Sequence, residues 1–258
     1  MATATKSKRK SKKETATIHI GLLLDESGSM GGKEQAVVEG TNEFIGSLQG
    51  EKNSDRTRVT LAMFDERPGA PRVRVKRAAE KLDEVELLAA DEYGPQGMTP
   101  LNDAIMETIS SMEQAMAGTD SAMLVIFTDG YENASETDTA TVKAAIEKKE
   151  ADGWTVIYLG ANVDAQKVGS SLSTNHATSF TSTAKGTSSA MRGVAAAGAY
   201  YVSEGGTIDS AALNATLGKE IAEDGTVQST TTSKPVAKKP TESKSSASRT
   251  ARDALRSS

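Results

Sequence analysis

The chain has 258 residues, with 35 acidic and 30 basic side chains, no cysteine and only 4 % aromatic residues. The absence of cysteine excludes a disulfide scaffold, a thiol nucleophile and a cysteine-ligated metal site. Residues 1–14 and 226–258 each carry a net charge of +5, so with −5 overall the residues between them carry −15. The acidic middle of the chain argues against nucleic-acid binding there, because phosphate binding needs clustered lysine and arginine. Nucleic acid would be bound only through the basic ends.

The two basic ends differ from the rest of the chain in composition. Both contain few of the large apolar side chains that offset the entropy cost of ordering. We therefore predict a disordered basic tail at 1–14 and a disordered Ser-, Thr- and Lys-rich tail at 226–258. One folded domain is predicted over 15–205, and residues 206–225 are left open, with a helical extension as one interpretation.

The sequence lacks the pattern of a secretory signal or a membrane anchor. The basic start is not followed by an apolar stretch. No apolar run approaches the roughly 20 residues of a membrane span, and the run from Ile20 to Leu24, for example, is interrupted by Gly21. We expect a cytoplasmic protein without a membrane partner, and a virion-associated protein is the alternative.

Strand and helix patterns alternate along the middle of the chain. Short β-branched and apolar runs predict strands, and apolar residues three and four apart predict helices. In chain order we predict a strand at 17–24, a helix at 33–49, a strand at 58–64, an edge strand at 72–76, a helix at 100–117, a strand at 121–127, a helix at 139–150, a strand at 154–159, a helix cap at 162–164, a short strand at 179–181 and a helix at 187–202. This alternation predicts an α/β fold: a doubly wound, mostly parallel sheet with one antiparallel edge strand and helices on both faces.

Three loops carry oxygen-bearing side chains where the predicted strands end, which is where such sheets bind ligands. The first follows the most apolar strand and contains Asp25, Ser27 and Ser29. The second contains Thr99, just before a helix, and the third contains Asp129, directly after another apolar strand. Two carboxylates and three hydroxyls suit a hard cation, with Mg²⁺ first and Mn²⁺ or Ca²⁺ as alternatives. These five residues are the predicted metal site.

The three loops together resemble the von Willebrand factor A domain and its metal-ion-dependent adhesion site. The resemblance covers about residues 15–203 and rests on Asp-Glu-Ser-Gly-Ser at 25–29, Met-Thr-Pro-Leu-Asn-Asp-Ala-Ile at 98–105 and Phe-Thr-Asp-Gly at 127–130. It implies that the two serines and the threonine bind the metal directly and the aspartates partly through water. The chain looks most like the stand-alone intracellular members of bacterial or phage type. The resemblance also raises an AAA+ ATPase as a partner, since some intracellular relatives pair with one.

The leading functional hypothesis is a protein-binding module, in which Mg²⁺ at the sheet edge captures an acidic residue of a partner. A Mg²⁺-dependent phosphohydrolase is one alternative, but Ser27 stands where a second aspartate is expected and the three loops contain no lysine. We therefore do not expect an enzyme. A structural or virion-associated assembly protein is the other alternative. In a purely structural interpretation Asp25 and Asp129 would only cap helices, and the three loops would have no need to converge.

Other polar residues near these loops are interpreted as structural. Glu26 alternates away from the site, and Asp65 and Glu66, at the end of a strand, are expected to be solvated. His19 lies within a strand and is expected to pack in the core. His176 lies in a segment rich in serine and threonine, which we interpret as a loop, and has no predicted partner.

Overall fold

The computed structural model describes residues 16–161 and 165–222, so the predicted tails and the helix cap predicted at 162–164 lie outside the described residues. The strands are β1 (Ile18–Asp25), β2 (Thr57–Phe64), β3 (Val73–Lys81), β4 (Ser121–Thr128), β5 (Thr155–Ala161) and β6 (His176–Phe180). The helices are α1 (Glu34–Gln49), α2 (Leu101–Ala115), α3 (Thr139–Ala151), α4 (Ala165–Leu172), α5 (Ala184–Ser203) and α6 (Ser210–Ala222).

The six strands form one sheet in the order β3-β2-β1-β4-β5-β6. β1 is parallel to both β2 and β4, and β5 is parallel to β4 and β6. β3 is antiparallel to β2 at one edge. The predicted fold class is confirmed. The strand order reverses between β1 and β4, which makes their carboxyl ends the switch point where such sheets bind ligands.

Helices cover both faces of the sheet. Alternate residues of β1 point to opposite faces, so Leu22 belongs to one buried cluster and Leu23 to the other. The first cluster packs against α1, α5 and α6, and the second packs against α2, α3 and α4. Phe44 of α1 and Ile105 of α2 illustrate the two layers, and both are fully buried. Burial of the central strands on both faces explains why they read as continuous apolar runs.

The largest differences from the predicted elements lie near the carboxyl end of the chain. β6 begins at His176, three residues before the predicted strand, and α5 begins at Ala184 because the Thr183 side chain caps it by accepting a hydrogen bond from the Gly186 amide. The interpretation of His176 as an unpartnered loop residue was wrong: it is buried, with Nδ1 3.0 Å from Asn214 Oδ1. His19 is buried in β1, as expected, with Nε2 3.3 Å from Asp120 Oδ2.

Residues 206–225, which the sequence left open, contain α6. Its buried side chains Leu213, Leu217 and Ile221 join the same apolar cluster as α1 and α5. The helix therefore packs as a part of the described core. None of the described helices is long and apolar enough to cross a membrane.

Candidate metal centre

The two central strands bring the first and third predicted loops together. β1 ends at Asp25 and β4 ends at Thr128, and the two strands are paired in parallel up to Leu24 and Phe127. Their carboxyl ends therefore lie side by side at one edge of the sheet. The loop that begins at Ser27 turns at once into a short 3₁₀ helix, Gly28–Met30.

Asp25 is buried at the base of this edge and is held by two hydrogen bonds. Its Oδ1 accepts from the Ser27 amide at 2.7 Å, and its Oδ2 accepts from Thr128 Oγ1 at 2.5 Å. Burial raises the pKa of the Asp25 carboxyl to about 6, although the bonds from Thr128 and Ser27 act in the opposite direction. A negative charge at this position is costly unless positive charge lies close by.

A line of hydroxyls runs from the first loop to the third. Ser27 Oγ lies 3.0 Å from Ser29 Oγ, and Ser29 Oγ donates to Asp129 Oδ1 at 2.5 Å. Ser27 is buried and Ser29 is exposed, so the line leads from the protein interior to solvent. A ligand from outside can therefore approach the site from the Ser29 side.

Thr99, the predicted residue of the second loop, meets the other two loops at Gly130. A methyl group at Gly130 would lie 3.2 Å from Thr99 Oγ1 and 3.5 Å from Ser29 Oγ. Glycine thus keeps open a small space that two of the predicted hydroxyls border. Thr99 is fixed there by two hydrogen bonds with Asn133. The Asn133 side-chain Oδ1 accepts from the Thr99 backbone amide at 2.8 Å, and the Asn133 backbone amide donates to the Thr99 carbonyl at 3.2 Å.

Backbone hydrogen bonds tie the first loop to the second. The Gly28 amide donates to the Gly97 carbonyl at 3.1 Å, and the Gln96 amide donates to the Glu26 carbonyl at 2.8 Å. Gly97 has a φ of +73°, and a Cβ there would collide with the backbone carbonyl of Glu66. The second loop can therefore pass this closely only with glycine at position 97.

The donor set fits a hard divalent cation. Two carboxylates and three hydroxyls lie at the edge where the three loops meet, without an imidazole or a thiol. Within residues 16–161 and 165–222, no group of three or more His, Cys, Asp or Glu side chains is placed to hold a metal ion. A cation centre in this part of the protein would depend on hydroxyl oxygens, and the predicted residues are the ones that supply them: Asp25, Ser27, Ser29, Thr99 and Asp129.

Two residues outside the predicted set also contact Asp129. Lys33 Nζ donates to Asp129 Oδ2 at 2.6 Å and to the Ser29 carbonyl at 2.6 Å. Ser182 Oγ, from the loop before α5, donates to the same Oδ2 at 3.0 Å. The sequence analysis predicted neither residue, because both lie outside the three loops that it considered. Lys33 is the first basic residue after the first loop, and this closeness in sequence is the signal that could have indicated it.

Next to the candidate metal centre lies a buried group of charges that we call the Glu26 cluster, made of Glu26, Asp65, Arg67 and Arg74. Both carboxylates are buried, with Asp65 at 0 % exposure, and each pairs with both arginines. The expectation that Asp65 is solvated was wrong, because the arginines of the β2–β3 hairpin fold back over it. Glu26 also accepts from the Gly94 amide at 2.6 Å. The cluster therefore anchors the loop that carries Ser27.

The family model for the von Willebrand factor type A domain matches residues 19–192. No curated protein sequence matches the chain. Among solved structures, the chain is similar to proximal thread matrix protein 1 from the mussel byssus, with 14 % identity, a TM-score of 0.55 and coverage of 70 % of this chain and 46 % of that one. It is also similar to the pilus adhesin SpaC from Lactobacillus rhamnosus GG in an open conformation, with 16 % identity, a TM-score of 0.56 and coverage of 72 % and 30 %. The chain thus spans less than half of either protein, and at these identities the likeness shows the fold alone.

Proposed function

The chain belongs to the von Willebrand factor type A domain family, and on that premise we propose that it is a metal-dependent protein-binding module. In this function a divalent cation at the carboxyl edge of the sheet captures an acidic side chain of a partner protein. The observation that carries the proposal is the meeting of three loops around Gly130, where hydroxyls and carboxylates come together without an imidazole.

Each predicted residue has a defined part in this proposal. Ser27, Ser29 and Thr99 would offer neutral oxygens, and Asp25 and Asp129 would supply the negative charge. Bound there, the cation supplies a positive centre that attracts a carboxylate from outside. Neutral hydroxyls matter for this purpose, because they complete a shell of oxygens without cancelling the charge of the metal. We propose Mg²⁺ as the resident cation, with Mn²⁺ and Ca²⁺ as the alternatives to be tested.

Apolar side chains beside the site support a protein as the ligand. Met98, next to Thr99, is 49 % exposed, and Tyr131, next to Gly130, is 60 % exposed. Exposed apolar side chains next to a polar centre are typical of interfaces, where tyrosine and methionine are enriched. The partner segment that fits this surface presents an aspartate or glutamate beside an apolar residue.

We propose a binding function and not a catalytic one. A phosphohydrolase needs a free base or nucleophile and a group that grips the phosphate. Both Asp25 oxygens accept hydrogen bonds from the protein, and the Lys33 ammonium donates to Asp129 and to the Ser29 carbonyl. Asp25 is therefore not a free base, and Lys33 is not a free cation that could bind a phosphate. A cytoplasmic location and an AAA+ ATPase partner stay predictions.

The test is a selection from a displayed library of random peptides on the immobilised chain, run in parallel with Mg²⁺, Mn²⁺, Ca²⁺ and EDTA. We expect metal-dependent retention of peptides that contain an aspartate or glutamate beside an apolar residue. Thr99→Ala should abolish this retention, whereas Thr216→Ala, which removes a threonine hydroxyl that donates to the Ala212 carbonyl within α6, should not.

Two outcomes would contradict the proposal. One is peptide retention that is equal in EDTA and in all three metals. The other is metal-dependent hydrolysis of p-nitrophenyl phosphate that is lost in Thr99→Ala and kept in Thr216→Ala, which would favour the phosphohydrolase.

A further inference from the structure

A buried ammonium group lies inside the candidate metal centre. The Lys33 side chain is only 7 % exposed and that of Asp129 only 1 %. Lys33 Nζ donates to Asp129 Oδ2 and to the Ser29 carbonyl, both at 2.6 Å. The contact joins residues 96 positions apart in the chain, and no helix or strand periodicity requires it.

The backbone of Lys33 is as firmly placed as its side chain. Its amide donates to the Met30 carbonyl at 3.2 Å, and its carbonyl accepts from the Val37 amide at 3.0 Å at the start of α1. The ammonium is therefore delivered to Asp129 by the turn that links the first loop to α1. The nearby arginines Arg67 and Arg74 pair instead with the carboxylates of the Glu26 cluster.

Lys33 changes the charge of the centre by one unit. Asp25 and Asp129, when both are ionised, carry −2, and Lys33 reduces this to −1. A divalent cation at the centre then leaves a net charge of +1 instead of zero. Charges that lie this close in a partly buried site interact more strongly than in bulk water, so one unit of charge matters for every ion that binds here.

We propose that Lys33 sets the charge of the metal centre, with opposite effects on its two ligands. It weakens binding of the cation, because it repels the cation and already bonds one oxygen of Asp129. It strengthens binding of an external carboxylate to the occupied centre, because that centre keeps a net positive charge. The inference rests on the proposed function and extends it: Lys33 selects a partner that is acidic and disfavours a neutral one.

The first measurement uses the metal alone. Mn²⁺ is titrated calorimetrically into the full chain and into Lys33→Met, Lys33→Gln and Lys33→Arg. We expect Lys33→Met and Lys33→Gln to bind Mn²⁺ about tenfold more tightly than the wild type, which corresponds to about 1.4 kcal/mol. Lys33→Arg keeps the charge and should stay close to the wild type. Lys81→Met, which removes an exposed lysine paired with Glu84, is the matched control and should change nothing.

The second measurement repeats the titration with sodium acetate in place of sodium chloride at constant ionic strength. Acetate stands for the external carboxylate and should increase the apparent Mn²⁺ affinity of the wild type more than that of Lys33→Met. If Lys33→Met does not fold without metal, Lys33→Gln carries the test, since its amide can still donate to Asp129 and to the Ser29 carbonyl. Circular dichroism checks the fold of each variant.

The outcomes separate the inference from the proposed function. Equal or weaker Mn²⁺ binding by the folded Lys33→Met and Lys33→Gln variants, with binding by the wild type intact, overturns the inference alone. Absence of Mn²⁺ binding in the wild type and in every Lys33 variant overturns the proposed function and the inference with it. Binding by Lys33→Met and Lys33→Gln without binding by the wild type overturns the proposed function, because the wild type then holds no metal, and with it the part of the inference that concerns an external carboxylate.

Discussion

Two groups of buried charges lie side by side at the carboxyl edge of the sheet, and they differ in balance. In the Glu26 cluster two carboxylates meet two arginines, and each carboxylate contacts both guanidinium groups. In the candidate metal centre Asp25 and Asp129 share the edge with one bonded ammonium among the described residues, that of Lys33. The first group is neutral by itself, whereas the second keeps a surplus negative charge.

This difference suits the Glu26 cluster to a structural role and the candidate metal centre to the proposed binding role. Consecutive residues at the end of β1 supply both groups, since Asp25 bonds within the candidate metal centre and Glu26 pairs with the arginines. A neutral buried cluster has no need of a ligand, because its charges are already paired. A centre with surplus negative charge and open hydroxyls is suited to a cation. The Glu26 cluster thus holds in place the loop that carries Ser27 and Ser29 of the candidate metal centre.

The largest expected effect comes from unbalancing the neutral cluster. Arg74→Met leaves the buried carboxylates of Glu26 and Asp65 to share one cation of the cluster, Arg67, and removal of one partner of a buried ion pair typically costs about 3 kcal/mol of unfolding free energy. Urea denaturation of the variant measures this loss. Lys81→Met, in an exposed pair, should cost less than about 0.5 kcal/mol. A similarly small loss for both variants would show that the cluster is not needed for stability.

A somewhat smaller effect is expected where the second loop crosses the end of β2. Gly97→Ala forces a Cβ onto a backbone with φ of +73° and against the carbonyl of Glu66. The strained conformation alone costs about 1–2 kcal/mol, and the collision adds to it. Gly46→Ala, on the exposed side of α1 with open space around it, should instead stabilise the chain by up to about 1 kcal/mol. Thermal denaturation of the two variants distinguishes a steric requirement at Gly97 from a general effect of replacing glycine.

Metal should stabilise the chain only modestly. Binding to the native state alone adds RT ln(1 + [L]/Kd), which is under about 1 kcal/mol when Mg²⁺ is close to its dissociation constant. We expect this increment in the wild type and its loss in Thr99→Ala and, more completely, in Asp25→Ala. Differential scanning fluorimetry with Mg²⁺ and with EDTA measures it. Unfolding of the whole chain in EDTA would instead indicate a structural metal.

The smallest expected effect is a change of stability with pH, and it comes from His176 at the start of the edge strand β6. Burial lowers the pKa of His176 below its ordinary value near 6.5, while the bond to Asn214 acts in the other direction. The unfolded chain therefore binds this proton more tightly than the folded chain. The stability due to the neutral imidazole is present above about pH 6.5 and is lost as the pH falls below it.

The matching experiment is urea denaturation of the wild type and of His176→Gln at pH 7.5 and at pH 5.5. The wild type should lose more stability between the two values than the variant. Taking the difference between the two proteins removes the contribution of Asp25, whose raised pKa acts with the opposite sign. Equal losses in both proteins would show that His176 does not titrate in this range.

Much of the fold was readable in the sequence because its signals are local. Strand and helix periodicities depend on which side of an element is buried, and residues next to each other in the chain report this directly. Apolar runs predicted β1, β2, β4 and β5 to within a residue or two, and the alternation of elements predicted the parallel sheet. The edge strand was predicted less well, because an edge strand is only half buried and its apolar pattern is weaker. β3 runs to Lys81, beyond the predicted 72–76.

The candidate site was readable for a related reason. Asp25, Ser27 and Ser29 follow one predicted strand, and Asp129 follows another, so the rule that parallel strands end at one edge placed them together before any distance was known. Thr99 came from the loop before a predicted helix. Their chemistry, two carboxylates with three hydroxyls, is a property of the residue types alone.

The sequence by itself determined the elements, the class of fold and the oxygen-rich loops, since each of these depends on neighbouring residues. Only the tertiary structure decided which charges meet. Lys33 reaches Asp129 across 96 residues and Glu26 reaches Arg74 across 48, and these contacts depend on strand order and loop path, which no periodicity encodes. Because charges act through space and not along the chain, the charge balance that distinguishes the candidate metal centre from the Glu26 cluster depends on how the sheet is assembled.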